Sequence, residues 1–135
     1  MPDGTIYITH CSGEKDDALR GTGRAVTPDE LYTSSRFNKF VHACRDAGVA
    51  WAVLSDKHGI WFPDETREWY EKAPEDVSET EFRALVKDSD AKLAGFERIR
   101  FYQEPDRLHA LYRRIIEASA LNDRIEMFTD LKTIR

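Results

Sequence analysis

The sequence predicts one α/β domain, a three-layer sandwich around a mostly parallel four-stranded sheet. Three observations carry that expectation. Runs of β-branched and aromatic residues alternate along the chain with segments whose apolar residues recur at helical spacing, an order that implies parallel strands joined by right-handed crossovers. The 135 residues match the commonest size of a single domain, long enough to bury a core without disulfide or metal staples. Composition is that of a globular chain, with 41% apolar and 33% charged residues, and no repeat, linker or low-complexity stretch interrupts it. The expected domain therefore spans residues 1–135.

Residues 5–9 (TIYIT) form a β-branched run suited to a buried first strand. Residues 16–27 are polar and Gly-rich and read as a mobile loop, and Pro28 opens a short helical turn through Leu31 and Tyr32. Ser34 or Ser35 is the N-cap of a helix whose Phe37, Phe40, Val41 and Cys44 share one face, and Gly48 ends it. Residues 49–54 (VAWAVL) are continuously apolar, as in a strand covered on both faces. The segment from Ile60 to Val77 has no clear period and reads as a structured loop held by its own aromatics. Ser78 and Glu81 make a capping box before a helix carrying Phe82, Leu85, Val86 and Leu93 inward to a stop near Gly95. Residues 98–102 (RIRFY) are a third strand, Pro105 opens a third long helix with Leu108, Leu111, Tyr112, Ile115 and Ile116 on its stripe, and residues 124–129 are the fourth strand. This succession points to a Rossmann-like or flavodoxin-like strand order.

The net charge of −5 argues against a broad basic surface for coating nucleic acid, while leaving room for a local basic pocket. Two cysteines, Cys11 and Cys44, make no disulfide framework. The N-terminal stretch lacks signal-peptide character and no apolar run reaches membrane-spanning length, so no membrane partner and a cytoplasmic location are expected. No cofactor is implied. A metal site is not expected either: His10 and Cys11 face opposite ways on a strand, His42 and Cys44 diverge on a helix, and no C-x-x-C or H-E-x-x-H is present. Gly21-Thr22-Gly23 lacks the strand, third glycine and helix of a nucleotide loop.

In a parallel sheet the functional crevice lies beyond the carboxyl ends of the strands. That rule collects residues 10–15, 55–59, 103–104 and 129–130 on one rim, with the start of the helix at Ser34–Arg36 opening toward it. Ser12, Gly13 and Lys15 place small residues, exposed amides and a cation directly after a strand, a turn suited to an anion. Ser55, Lys57, His58 and Gly59 repeat the theme after the second strand. Together they point to a polar pocket for a phosphate, a carboxylate or a nucleobase edge. His58 is the candidate general acid or base, with a role in the Gly59 turn as its alternative. Lys57 is an anion-binding candidate or a solvated cation, and Cys11 a candidate nucleophile or a small buried residue, whereas Cys44 reads as core. Trp61, Phe62, Trp69 and Tyr70 either stack a base or anchor their loop.

Three segments in order carry a family resemblance: Cys11-Ser12-x-x-Lys15, Leu31-Tyr32-Thr33-Ser34-x-x-Phe37, and Leu54-Ser55-x-Lys57-His58-Gly59-Ile60-x-x-Pro63-Asp64 with Tyr70 following. The pattern resembles a family of small α/β proteins known only as a domain of unknown function. The last segment is also similar to one in the bacterial peroxide-stress protein family, some members of which bind DNA. The first is distantly similar to the Pro-Cys-Ser-x-x-Lys turn of a glycosylase-like domain attached to archaeal tRNA-guanine modification enzymes. The likeness covers the first half of the chain. Asp56 stands where the pattern has a small residue, and Ile60-Trp61 where it has two leucines.

The strand-end pocket, taken with the resemblance, points to an enzyme-like domain that binds a nucleobase, nucleoside or nucleotide, with chemistry at an N-glycosidic bond and water as nucleophile. Ser12, Gly13, Lys15, Tyr32, Ser34, Ser55 and Gly59 would form the ligand site, and Lys57, His58 and Cys11 the reacting groups. The expectation leans to a hydrolase or transferase of glycosidic bonds. Two alternatives stay open. One is a non-catalytic module that recognises nucleic acid through Arg20, Arg24 and Arg36, or a protein partner. The other is a subunit whose aromatic loop is an oligomer contact.

Overall fold

The computed structural model describes residues 4–104 and 108–134. Their sheet has five strands: β1 (Thr5–His10), β2 (Ala50–Ser55), β3 (Gly59–Trp61), β4 (Arg98–Tyr102) and β5 (Ile125–Phe128), in the order β3-β2-β1-β4-β5. Four run parallel and β3 runs antiparallel to β2. The expected four-stranded sheet is thus enlarged by an edge hairpin, and the Rossmann-like order is not matched as it stood. The expected loop from Ile60 onward begins instead as β3, because Val53 and Ser55 pair with Trp61 and Gly59 across the turn.

Helices cover both faces. α1 (Pro28–Leu31) starts at Thr27 with a capping box closed by Glu30, and α2 (Ser35–Ala47) follows, with Ser34 Oγ accepting the Phe37 N–H and Gly48 closing it in the left-handed conformation. Phe37 and Phe40 of α2 pack edge-on against Trp51, and Phe40 stacks on Tyr102. Trp51 is in register with Tyr7, and Tyr102 with Thr9, so α2 lies on that side of the sheet. On the opposite side, Tyr112 of α4 (Ala110–Ala118) stacks on His10, and α3 (Glu79–Leu93) packs against α4 and β3. The expected helix start at Pro105 lies outside the described residues; α4 is capped by His109, whose side chain accepts the Leu111 N–H.

Two segments are better fixed than composition implies. The 16–27 stretch contains a 3-10 turn at Asp17–Leu19, and Val26 exchanges two backbone hydrogen bonds with Arg67. The aromatic segment is anchored inward, with Trp61 and Tyr70 buried. At the outer edge of β3 the Asp88 carboxylate of α3 accepts the Ile60 N–H at 2.8 Å, while Lys92 donates to the Ile60 carbonyl at 2.9 Å. These two side chains, 3.0 Å apart as an ion pair, occupy backbone groups that would otherwise template another strand. No helix among the described residues is long and apolar enough to cross a membrane.

Gly59 sits at φ +71°, and a Cβ there would collide with the Asp88 carboxylate. Gly48 has φ +67° with open space around it. Gly48→Ala should therefore cost about 1–2 kcal/mol, the left-handed penalty alone, and Gly59→Ala clearly more. Urea unfolding of the two variants checks this; equal losses would remove the Asp88 contact from the account.

Candidate functional site

β1 is the switch strand, with β2 on one side and β4 on the other. Beyond its carboxyl end a cleft of about 480 Å³ opens, lined by residues 10–14, the first turn of α2, Lys39, Tyr102 and Glu104. A cavity of about 160 Å³ on the α4 side reaches Lys15, Lys72, His109 and Tyr112, and a third hollow of about 840 Å³ runs from Lys15 to Arg20 and Trp69. Gly13 borders all three.

Arg36 braces the cleft. Its guanidinium donates to Thr9 Oγ1 at 2.7 Å, to the His10 carbonyl at 3.1 Å and to the Cys11 carbonyl at 3.3 Å, tying the first turn of α2 to the end of β1. Thr9 Oγ1 in turn donates to the Tyr102 carbonyl of β4 at 3.0 Å. In the loop that follows, no acceptor among the described residues takes the backbone N–H of Ser12 or Gly13. Ser12 Oγ accepts the Glu14 N–H, and Lys15 forms a bridge with Tyr32.

Behind this loop lies a connected set of buried protic groups. Cys11 Sγ is 3.0 Å from Tyr112 Oη and donates to Asp56 Oδ1 at 3.6 Å. Tyr70 Oη donates to the same oxygen at 3.4 Å and lies 2.5 Å from Tyr32 Oη and 3.1 Å from Ser55 Oγ. Ser55 Oγ also accepts the N–H groups of Lys57 and His58, which fixes the reversal into β3. Asp56 is only 3% exposed, and burial raises its pKa against the pull of the Cys11 hydrogen bond and the Lys15 ammonium. Burial pushes the Cys11 thiol up, and the Asp56 carboxylate acts in the same direction. Cys11 is therefore held as a protonated donor in the resting site. Lys15 Nζ stands 4.6 Å, and Lys57 Nζ 5.7 Å, from the centre of the Tyr70 ring.

The structure thus brings together Cys11, Ser12, Gly13, Lys15, Tyr32, Ser55 and Lys57 around Tyr70 and the switch-point loop, with Ser34 at the mouth of the cleft. Gly59 acts in the turn. His58 joins this set through the Tyr70 ring: its own ring packs edge-on against Trp61 and Tyr70, and its buried Nε2 has no partner among the described residues. Cys44 is fully buried in the core, its thiol pushed up to about 12 by burial. Of the arginines expected to make a basic face, Arg20 pairs with Glu71 and stacks on Trp69, Arg24 pairs with Glu30, and Arg36 is spent on the strand end. Arg36, expected at the rim and on a basic face, serves instead to brace the strand end; a cation in a helix's first turn opposes the macrodipole unless something else binds it. Asp56 and Tyr112 had no site role in the sequence analysis, and of the two only Asp56 left a signal, its departure from the small residue of the family pattern.

His10 and His58 are both held at a pKa of about 4, chiefly by burial, with Arg36 adding to the effect at His10 and Arg67 and Lys57 at His58. As pH falls through about 6.5 the unfolded chain takes up protons that the folded protein refuses, and the loss ends only near 4, where the folded rings protonate too. Stability should therefore drop between pH 6.5 and 4 by up to about 3 kcal/mol per ring. Denaturant unfolding at pH 7 and pH 4.5 measures the drop, and His10→Gln should remove about half of it. A flat profile would contradict the buried neutral rings.

Neither the curated proteins nor the solved structures yielded a match to the chain. A family model does match, described as a family of unknown function (DUF6884), over residues 6–103. Those residues run from β1 to just past β4 and include the switch-point loop, the first turn of α2, Asp56 and Tyr70. The chain belongs to this DUF6884 family.

Proposed function

We propose that the domain binds a nucleobase, nucleoside or nucleotide at the switch point and acts on an N-glycosidic bond, with water as nucleophile. The cleft of about 480 Å³ beyond β1 and β4 carries this reading. Its size falls within the range of roughly 300–1,000 Å³ that small-molecule sites occupy, and its place is where open α/β sheets hold ligands. The unpaired amides of Ser12 and Gly13 supply donors for an anionic or sugar oxygen. Lys39 adds a cation on the cleft wall, and Lys15 adds one on the adjoining cavity. Ser34 keeps its hydroxyl proton free to donate, since its oxygen serves as the helix cap. Lys15, on the adjoining cavity, would stabilise a departing base, and Lys57 lies near the same Tyr70 ring. The likeness of the strand-end segments to the peroxide-stress protein family and to the glycosylase-like domain of tRNA-guanine modification enzymes supports the same substrate class. A general nucleic-acid-coating role finds less support, because Arg20 and Arg24 have acidic partners and Arg36 faces inward.

Thermal unfolding with a panel of nucleobases, nucleosides, nucleotides and sugar phosphates tests the reading. A ligand at a hundred times its Kd should stabilise by about 2.7 kcal/mol, several degrees for a domain of this size. Gly13→Phe should abolish the shift without lowering the unliganded Tm, since a Cβ at Gly13 meets nothing within 4 Å. The absence of any shift with millimolar ligands would end the small-molecule reading.

A further inference from the structure

The 480 Å³ cleft opens between two strands whose chains part company. Beyond β1 the chain leads to α2 on one face of the sheet, and beyond β4 it leads to α4 on the other. Residues 11–14 form one bank of the crevice and Tyr102 with Glu104 the other, while the first turn of α2 and Lys39 complete the wall. Hydrolysis of an N-glycosidic bond calls for a group on that wall able to take a proton from the attacking water. Most of the lining has no such capacity. His10 has its Nδ1 on the Cys11 carbonyl and its Nε2 buried, and burial together with the Arg36 charge holds the ring at about 4. The Cys11 thiol is buried against Tyr112 and Asp56 and is pushed up by burial and then by the Asp56 charge. Arg36 and Lys39 are cations, and a serine hydroxyl needs a base of its own before it can act. The Tyr102 hydroxyl is pushed up by burial and then by the charge of Glu104. Two carboxylates remain, Glu14 and Glu104. Glu14 is exposed, whereas Glu104 is half-buried. The Glu104 charge is also felt inside the cleft, at Tyr102 and at Arg36, where burial lowers the guanidinium and Glu104 is among the acidic groups opposing the fall. No ion pair among the described residues engages its carboxylate.

We infer that Glu104 is the general base of the site, the group on the cleft wall that takes a proton from the attacking water. This assignment deepens the N-glycosidic reading and rests on it for the identity of the reaction. In the step the water oxygen bonds to the glycosidic carbon while one of its protons passes to a Glu104 carboxylate oxygen. The C–N bond breaks, and its electron pair leaves with the base, beside the Lys15 ammonium of the adjoining cavity. Glu104 then releases its proton to solvent and the departed base takes one from solvent. The carboxylate is restored, and no oxidant or reductant is required. Water attacks from the side opposite the leaving base, so this single displacement inverts the sugar carbon, whereas a carboxylate acting as nucleophile would give retention through two displacements.

The test uses the full chain and a nucleoside of the panel that the wild type hydrolyses. Glu104→Gln keeps the size of the side chain and removes the base, so kcat should fall by about 10²–10⁴-fold with KM little changed. The side chain is half-exposed and its carboxylate has no ion pair among the described residues, so the Tm of this variant should match that of the wild type. Added formate should restore part of the activity of Glu104→Ala, a rescue that a loss of structure would not show. The loss of kcat in Glu14→Gln should be smaller than that in Glu104→Gln by about tenfold or more. Methanolysis in place of hydrolysis gives a methyl glycoside, which cannot mutarotate, and its configuration should be inverted. Full activity in Glu104→Gln, a loss that formate does not restore, a larger loss in Glu14→Gln or a retained product would each overturn the assignment and leave the N-glycosidic reading standing. A wild type that hydrolyses none of the panel would overturn that reading and the assignment with it.

Discussion

The clasp of Arg36 on the end of β1 is the interaction on which the rest depends. At a switch point the central strand's neighbours diverge, and its last carbonyls face a crevice with no strand to receive their hydrogen bonds. One guanidinium takes the carbonyls of His10 and Cys11 together with Thr9 Oγ1. It thereby sets the distance between β1 and α2, which is the width of the cleft. It also holds the turn at which Cys11 enters the interior and the Ser12 and Gly13 amides go without an acceptor among the described residues. Burial lowers the pKa of the guanidinium, and the acidic groups around it act to raise it, so the clasp remains a cation surrounded by acceptors.

A second constraint follows from the first. With Cys11 directed inward, its thiol donates to Asp56 at the start of the β2–β3 turn. Tyr70 then links the turn to α1 through Tyr32, so three otherwise separate loops share one buried polar cluster. Satisfied clusters of this kind rigidify a site, because each member can leave only by stranding another. The tight reversal behind it is maintained by Ser55 Oγ and by the left-handed Gly59 pressed against Asp88. Structural and functional demands on residues 55–59 are therefore hard to separate, and His58 illustrates this: its ring fills space between Trp61 and Tyr70 as the turn's packing residue.

Local physics made much of this legible from the sequence. The caps at Ser34, Gly48 and Ser78, the apolar stripe of α2 and the β-branched run of β1 each specify their conformation within a few residues, and each is found as expected. The strand-end rule likewise located the loops around Ser12 and Ser55. What escaped depends on partners distant in the chain. β3 is three residues long, too short to show a period, and exists because β2 pairs with it. Asp56 shows in the sequence only as a departure from the small residue of the family pattern, and its burial depends on Cys11 and Tyr70 closing over it. Tyr112 reads as one more apolar residue on a helical stripe, and nothing local reveals that its hydroxyl meets a sulfur 101 positions away. The 16–27 stretch reads as loose because its bridge to Arg67 is also non-local.

The span of those contacts has a consequence for how the molecule opens. The Cys11–Asp56 and Cys11–Tyr112 contacts join residues 45 and 101 positions apart, so the polar cluster exists only when the sheet's centre and α4 are both docked. Loops around binding sites commonly exchange their amide hydrogens through small local fluctuations, at free energies far below that of global unfolding. The Cys11 amide, bonded to the Leu54 carbonyl, and the cluster around it therefore open only when the centre of the sheet or α4 lets go, whereas the Ser12 and Gly13 amides beside it have no such bond to break.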